Sequence, residues 1–332
     1  MTDLKGLRAV VAGTGSATPD KVLSNRDLEK IVETSDEWII QRTGIHERRI
    51  CNDDETTGSL SIIAAQRALE SSKTSAEEVD LIIEATVTGE YIWPATACFV
   101  QAAIGATNAG AFDISAACAG FIYAVANATS MIEAGHIRTA LVVGADCLTK
   151  QVDWSDRSTC ILFGDAAAAC VLKAAKDTDR GVIETVLRAD GRGAKHIILE
   201  RGGSRWPRCV PESLTKSDTI FMAGQEVYRF AIIAMGDACE AVMRKAGIQT
   251  ADVDLFVPHQ ANLRIIESAS GRLGIPENKV FVNVDRYGNT SGASVPLALD
   301  EAVRQGRLKP GMLVMTVGFG AGLVWGANLI RW

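Results

Sequence analysis

The sequence predicts an α/β protein of two duplicated halves, stacked as a five-layer αβαβα sandwich. Three observations carry this. The strand-like segments, such as Leu81-Ile82-Ile83 and Leu255-Phe256-Val257, are apolar on both faces, which suits sheets buried between helices. Amphipathic helices alternate with those strands. The order helix, strand, helix, strand, helix, strand occurs twice along the chain.

Taken in order, residues 8–12 form a short strand that runs into Gly13-Thr14-Gly15. Ser24-Asn25 precede a short helix over 26–31. Ser35 or Asp36 caps the next, which Gly44 closes. The first half then reads helix 57–71, strand 79–85, helix 96–104 ended by Gly105, strand 111–114, helix 121–135 and strand 140–143. In the helix after Phe121, Ala124, Val125, Ala128, Met131 and Ile132 recur at three- and four-residue spacings. The second half echoes it: helix 225–246, strand 253–257, helix 263–273 closed by Gly274, strand 281–284, helix 293–305 closed by Gly306 and strand 312–317. Residues 1–175 and 176–332 are the expected halves. Residues 188–218 show no clear period and are expected to form a mobile flap over a substrate entrance.

Composition narrows the function. At 332 residues with 47% hydrophobic and 22% charged content, the chain matches a soluble globular α/β protein. No apolar run approaches the roughly 18 residues of a membrane helix, and no secretory signal is expected. A net charge of −6 gives no nucleic-acid signature. The eight cysteines contain no CxxC pair, which argues against a zinc ribbon and a secreted disulfide framework. Reduced thiols and a cytoplasmic location are the expectation.

Cys118 stands where strand 111–114 gives way to a helix. Unpaired N–H groups and the positive end of the helix dipole are expected to favour its thiolate and lower its pKa. The second half offers Asn289, in Gly288-Asn289-Thr290-Ser291-Gly292, as the mirror of Cys118. Gly-Asn-Thr is also ordinary turn chemistry. Of four histidines, His259 follows a strand at its carboxyl end, where α/β sites gather. The loop Gly318-Phe319-Gly320-Ala321-Gly322 reads as a plain turn or as N–H groups of an oxyanion hole. A Cys–His–Asn set serves two reaction classes. In a cysteine hydrolase the histidine is a general base. In a carbon–carbon-forming acyl transferase, histidine and asparagine donate hydrogen bonds to an enolate oxygen.

Ala116-Ala117-Cys118-Ala119-Gly120-Phe121, Pro258-His259-Gln260-Ala261-Asn262 and Gly288-Asn289-Thr290-Ser291 closely resemble β-ketoacyl-acyl-carrier-protein synthase III, a thiolase-fold family. Thr34-Ser35-Asp36-Glu37-Trp38, Phe163-Gly164-Asp165 and Gly318-Phe319-Gly320 match in the same order. The resemblance implies an acyltransferase that condenses a short acyl-CoA, acetyl-CoA above others, with malonyl-acyl carrier protein at the start of fatty-acid synthesis. It implies that Cys118 is acylated and that His259 and Asn289 hold the enolate. The Cys118 and Ala321 N–H groups would form the oxyanion hole, beside Phe319 and Gly320. Trp38 and Arg157 would sandwich the CoA adenine, with Arg42 near its phosphate and Gly224 and Asn262 along the pantetheine tunnel. Trp93 would cross a homodimer interface to floor the partner's acyl pocket. Arg229, Arg264 and Arg272 would dock the acidic carrier protein. No metal or resident cofactor is implied. The alternatives are a related starter-loading enzyme of polyketide or quinolone synthesis, and, more remotely, a thioester hydrolase.

Overall fold

The computed structural model describes residues 6–332. Two main sheets carry the fold. The first runs, in spatial order, Arg8–Ala17, Asp165–Ala175, Thr139–Cys147, Leu81–Ala85 and Gly110–Ile114. The second runs Gly181–Ala189, Val324–Arg331, Leu313–Gly320 and Leu255–Pro258. Both sheets begin with two antiparallel pairings and continue parallel. The repeat is thus one of topology as well as element order.

The fifth strand of the second sheet is reduced to one bridge, Phe256 to Val280. The strand expected over 281–284 does not form. The chain instead turns into a short helix at Val284–Tyr287, held by Gln260, whose side-chain oxygen accepts the N–H groups of Asn283 and Val284. Asn283 adds a bond to Glu301 at 2.9 Å. These local side-chain bonds compete with ladder bonds for the same backbone.

Thr57–Ser72 and Thr96–Ile104 cover the outer face of the first sheet, while Gly224–Ala246 and Leu263–Leu273 cover that of the second. Gly120–Glu133 and Ser294–Arg304 form the middle layer between the sheets. In the latter, every residue from Ser294 to Ala302 is buried, as a helix walled in by sheets on two sides requires. The charge of Asp300 inside this layer is accounted for. Its carboxylate accepts the hydroxyls of Thr14 at 2.8 Å and Ser16 at 2.6 Å and pairs with Arg304 at 3.0 Å. Those bonds tie the middle helix of one half to the first strand of the other.

The two strand-to-helix turns are equivalent in detail. Ala117 and Ser291 both hold positive φ, 45° and 50°, and each opens a single 3-10 turn before a middle-layer helix. A residue with a Cβ is uncommon there and the conformation costs energy, so a packed site has to hold it. Counting from these turns, the counterpart of Cys118 is Gly292. Asn289, expected as the mirror, lies three residues earlier. Residues 188–218 are a folded segment with 3-10 turns at Gly191–His196 and Pro211–Thr215, pinned by an Arg201–Asp218 ion pair. No helix among the described residues is long and apolar enough to cross a membrane.

Candidate active site

Both turns empty into one cavity of about 370 Å³. Cys118, His259, Asn289, Phe319, Gly320, Ala321, Gly224 and Asn262 all line it. These sequence-predicted residues therefore converge from five separate stretches of chain.

Cys118 sits in the Ala117–Ala119 turn, just ahead of the Gly120–Glu133 helix. The strand Leu313–Gly320 passes so close that a Cβ on Gly320 would lie 2.6 Å from the Cys118 nitrogen. Only glycine permits that approach, and it brings the 320–321 backbone against the cysteine N–H. The Cys118 sulfur lies 3.4 Å from the Ser291 hydroxyl. The expectation of a low pKa is not met. Burial pushes the thiol up, to about 12, and the Asp146 carboxylate adds to it, outweighing the Ser291 bond. Desolvation of a thiolate in this enclosed site exceeds the help from one turn of backbone.

His259 is 1% exposed and follows Pro258 at the strand end, with its N–H on the Val317 carbonyl at 2.7 Å. Burial pushes the imidazole down, to about 3, so the ring is neutral at physiological pH. Its Nδ1 lies 2.5 Å from the Ser294 hydroxyl. That hydroxyl has no other partner among the described residues. With the hydroxyl donating to Nδ1, the ring proton belongs on Nε2, making it a donor. Phe319 packs edge-on against the ring, centroids 5.4 Å apart.

Asn289 is fixed by its own turn. Its Oδ1 accepts the Ser291 N–H at 2.9 Å, and its backbone bonds to Leu162 and Gly164. With Oδ1 occupied, the group left to face the cavity is the Nδ2 amide, a donor. A neutral thiol thus shares the cavity with the Asn289 amide donor and, in the Nε2–H tautomer, with a second donor on His259.

The outer site residues are placed as follows. Trp38 stacks with the guanidinium carbons of Arg42 at 4.7 Å and Arg157 at 5.1 Å from its ring centroid. A flat ring between Trp38 and Arg157 needs about 7 Å, two van der Waals layers, so Arg157 has to withdraw about 2 Å to admit one. Asn262 caps the Leu263–Leu273 helix through Arg264 N–H at 2.9 Å and donates to the Arg42 carbonyl at 3.0 Å. Trp93 is 82% exposed and does not reach this chain's cavity. Arg229 and Arg264 are exposed beside cavity-lining Tyr228 and Asn262. Arg272 does not suit docking. It bonds Asp237 at 2.6 Å and Glu240 at 3.0 Å, clamping one outer helix to the other.

Sequence reading missed three groups. Ser291 and Ser294 stand within and just beyond the Gly-Asn-Thr motif at a helix start, which was the available signal. Asp146 is buried and accepts the N–H groups of Val87, Thr88 and Gly292. The apolar wall of Leu148, Leu162, Ile197, Ile198 and Ile220 comes partly from the patternless segment.

Residues 112–191 match the 3-oxoacyl-[acyl-carrier-protein (ACP)] synthase III family, and residues 243–332 match the corresponding C-terminal family. The β-ketoacyl-[acyl-carrier-protein] synthase III of Caldanaerobacter subterraneus is 48% identical over 326 residues, 98% of both chains. The chain belongs to the β-ketoacyl-[acyl-carrier-protein] synthase III family. Among solved structures, the 3-oxoacyl-[acyl-carrier-protein] synthase III of Aquifex aeolicus superposes with a TM-score of 0.91 at 45% identity, covering 98% of this chain and 100% of that one. The priming β-ketosynthase of the R1128 polyketide pathway gives 0.91 at 37% identity, covering 97% and 95%. The thiolase-like fold expected from the sequence is therefore the observed one.

Proposed function

We propose that this chain condenses a short acyl-CoA with malonyl-acyl carrier protein, giving a 3-oxoacyl carrier protein, carbon dioxide and CoA. The observation that carries the reading is a buried, neutral His259 and an Asn289 whose Oδ1 is already occupied, in one cavity with a thiol; with Ser294 donating to Nδ1, both present a donor, His259 Nε2–H and Asn289 Nδ2–H. A general base would need an acceptor nitrogen there. The donors fit a developing oxyanion instead.

The residues then divide the work. Cys118 Sγ takes the acyl group from the CoA thioester, and its proton leaves with the CoA thiol. The backbone N–H groups of Cys118 and Ala321 receive the carbonyl oxygen as it becomes an oxyanion. Malonyl then loses carbon dioxide, and the electron pair of the broken bond passes to the thioester as an enolate. His259 and Asn289 hydrogen-bond the enolate oxygen. Its carbon attacks the acyl carbonyl, and Cys118 leaves as the thiolate, which takes a proton from solvent to regain the resting thiol. Phe319 shields this centre from water. The acyl group passes from thioester to thiol to carbanion, so the steps draw on no metal or resident cofactor. Residues 1–175 supply the nucleophile and residues 176–332 the donors.

Ser294 sets the tautomer. Ser294→Ala should slow condensation about 10- to 100-fold, the cost of one buried hydrogen bond, while Cys118 still acylates at the parent rate. Ser294→Thr should restore most of the loss. Equal slowing of both half-reactions would refute the assignment.

Trp38, Arg42, Arg157, Gly224 and Asn262 guide CoA, and Arg229 and Arg264 meet the acidic carrier protein at the mouth. The chain works as a homodimer in the cytoplasm, where its substrates are found. The edge strand Gly110–Ile114 has one side unpaired, and Phe112, Tyr91, Ile92 and Trp93 are exposed around it. Exposed edges of this kind pair with another strand. Trp93, solvent-facing in one chain, would then floor the pocket of the other and favour acetyl-CoA. Trp93→Ala should raise kcat/KM for longer acyl-CoA substrates about tenfold relative to acetyl-CoA. An unchanged chain-length profile would remove Trp93 from the pocket. Assay of the wild type with several acyl-CoA primers and malonyl-acyl carrier protein tests the reading. Loss of carbon dioxide without a 3-oxoacyl product would refute it.

A further inference from the structure

Away from the substrate cavity, Cys51 and Cys147 meet sulfur to sulfur at 3.0 Å. Cys51 lies on the loop after strand Glu47–Arg49 and is half-buried, and Cys147 ends the strand Thr139–Cys147. Both backbones are held. The Cys51 N–H bonds Asp165 at 2.8 Å, and the Cys147 N–H bonds the Thr88 hydroxyl at 2.9 Å. Asp165 completes a compact three-residue cluster.

We propose that Cys51 and Cys147 are a redox site that closes reversibly to an intrachain disulfide. A metal fits less well. Two thiolates on one tetrahedral zinc stand about 3.8 Å apart, given zinc–sulfur bonds near 2.3 Å. Asp165 is also committed, accepting Cys51 N–H on one oxygen and Thr149 N–H on the other, with the Thr149 hydroxyl as well. With a hydroperoxide as oxidant, one sulfur attacks the O–O bond and becomes a sulfenic acid, releasing the reduced oxygen as water or alcohol. The second sulfur displaces the hydroxyl, which leaves as water with the two thiol protons accounted for. The pair loses two electrons, and a dithiol reductant returns them. The Cys147 bond, burial and the Asp165 carboxylate hold the Cys51 thiol up, so closure is slow, because the thiolate is the reactive form. The link sits one residue from Asp146, whose carboxylate accepts the Gly292 N–H at 3.1 Å beside Cys118.

The test treats the whole protein with hydrogen peroxide over hours, then alkylates it in denaturant and maps it with trypsin. Residues 50–67 and 139–150 are separate tryptic peptides, each with a single cysteine. The expected result is a cross-linked pair of these peptides, a fall from eight free thiols to six, and reversal by dithiothreitol. Cys51→Ser should abolish the cross-link. If that variant fails to fold, the wild-type map alone decides. Eight surviving thiols, a cross-link through another cysteine, irreversible over-oxidation without the link, or two sulfurs shielded by bound zinc would each overturn the proposal.

Discussion

Cys118→Ala is expected to lose the acyl-enzyme entirely and to lower condensation about 10⁴-fold or more, because the other cavity hydroxyls, on Ser291 and Tyr228, are far weaker nucleophiles than a thiol near neutral pH. The substitution removes only a sulfur and leaves the donor pair in place. Decarboxylation of malonyl-acyl carrier protein should therefore persist while carbon–carbon bond formation stops. That uncoupling separates this account from a hydrolase, in which losing the cysteine ends all chemistry. It is read by quantifying carbon dioxide and 3-oxoacyl product from the same reaction. Parallel loss of both would mean that the cysteine also acts in decarboxylation. Turnover near the wild-type rate would place the nucleophile elsewhere.

The second large effect divides the reaction the other way. His259→Ala or Asn289→Ala should each cut condensation about 10²- to 10³-fold, the usual cost of one donor to a developing oxyanion. Acylation of Cys118 should continue in both. Asn289→Asp is the sharper test. Its Oδ1 can still accept the Ser291 N–H, so the turn survives, but the donor becomes an acceptor with negative charge. It should be worse than alanine, since a carboxylate repels both the malonyl carboxylate and the enolate. Rates of single-turnover acylation and of decarboxylation, measured separately, check this. If Asn289→Asp acylates poorly but decarboxylates normally, the donor role is wrong.

The neutral state of the site follows from its burial. Desolvation moves the Cys118 thiol up and the His259 imidazole down, so a resting thiolate–imidazolium pair is disfavoured from both sides. In the proposed reaction the chemistry accordingly relies on a thioester exchange assisted by backbone N–H groups and on neutral hydrogen-bond donors. Neither role needs a charged resting histidine.

Much of this was legible in the chain because each signal was local. Ser35 and Gly44 bracket a helix as capping chemistry demands, and Gly105, Gly274 and Gly306 close theirs at φ 76°, 66° and 68°. The repeat was legible because a buried strand is apolar on both faces whatever surrounds it. The missing strand at 281–284 was not, since Gln260 and Glu301 decide its fate from 18 to 23 residues away. The Cys118 thiol was misread for a related reason: a helix start is visible in sequence, while the desolvation that outweighs it comes from chain segments folded over the site. Arg272 looked like a free surface cation until the neighbouring helix supplied Asp237 and Glu240. The apolar tunnel wall was invisible because Ile197 and Ile198 lie in a segment with no period, and Ile220 lies just beyond it.

In the proposed reaction one sulfur carries the acyl group between two separate half-reactions. It is tested most directly by mass spectrometry in two steps. Acetyl-CoA alone should leave one acetyl group on the peptide bearing Cys118. After removal of free acetyl-CoA, malonyl-acyl carrier protein should discharge that peptide and yield 3-oxobutanoyl carrier protein in equal amount. An acetyl group on any other residue, or its loss as free acetate before the carrier protein is added, would contradict the account.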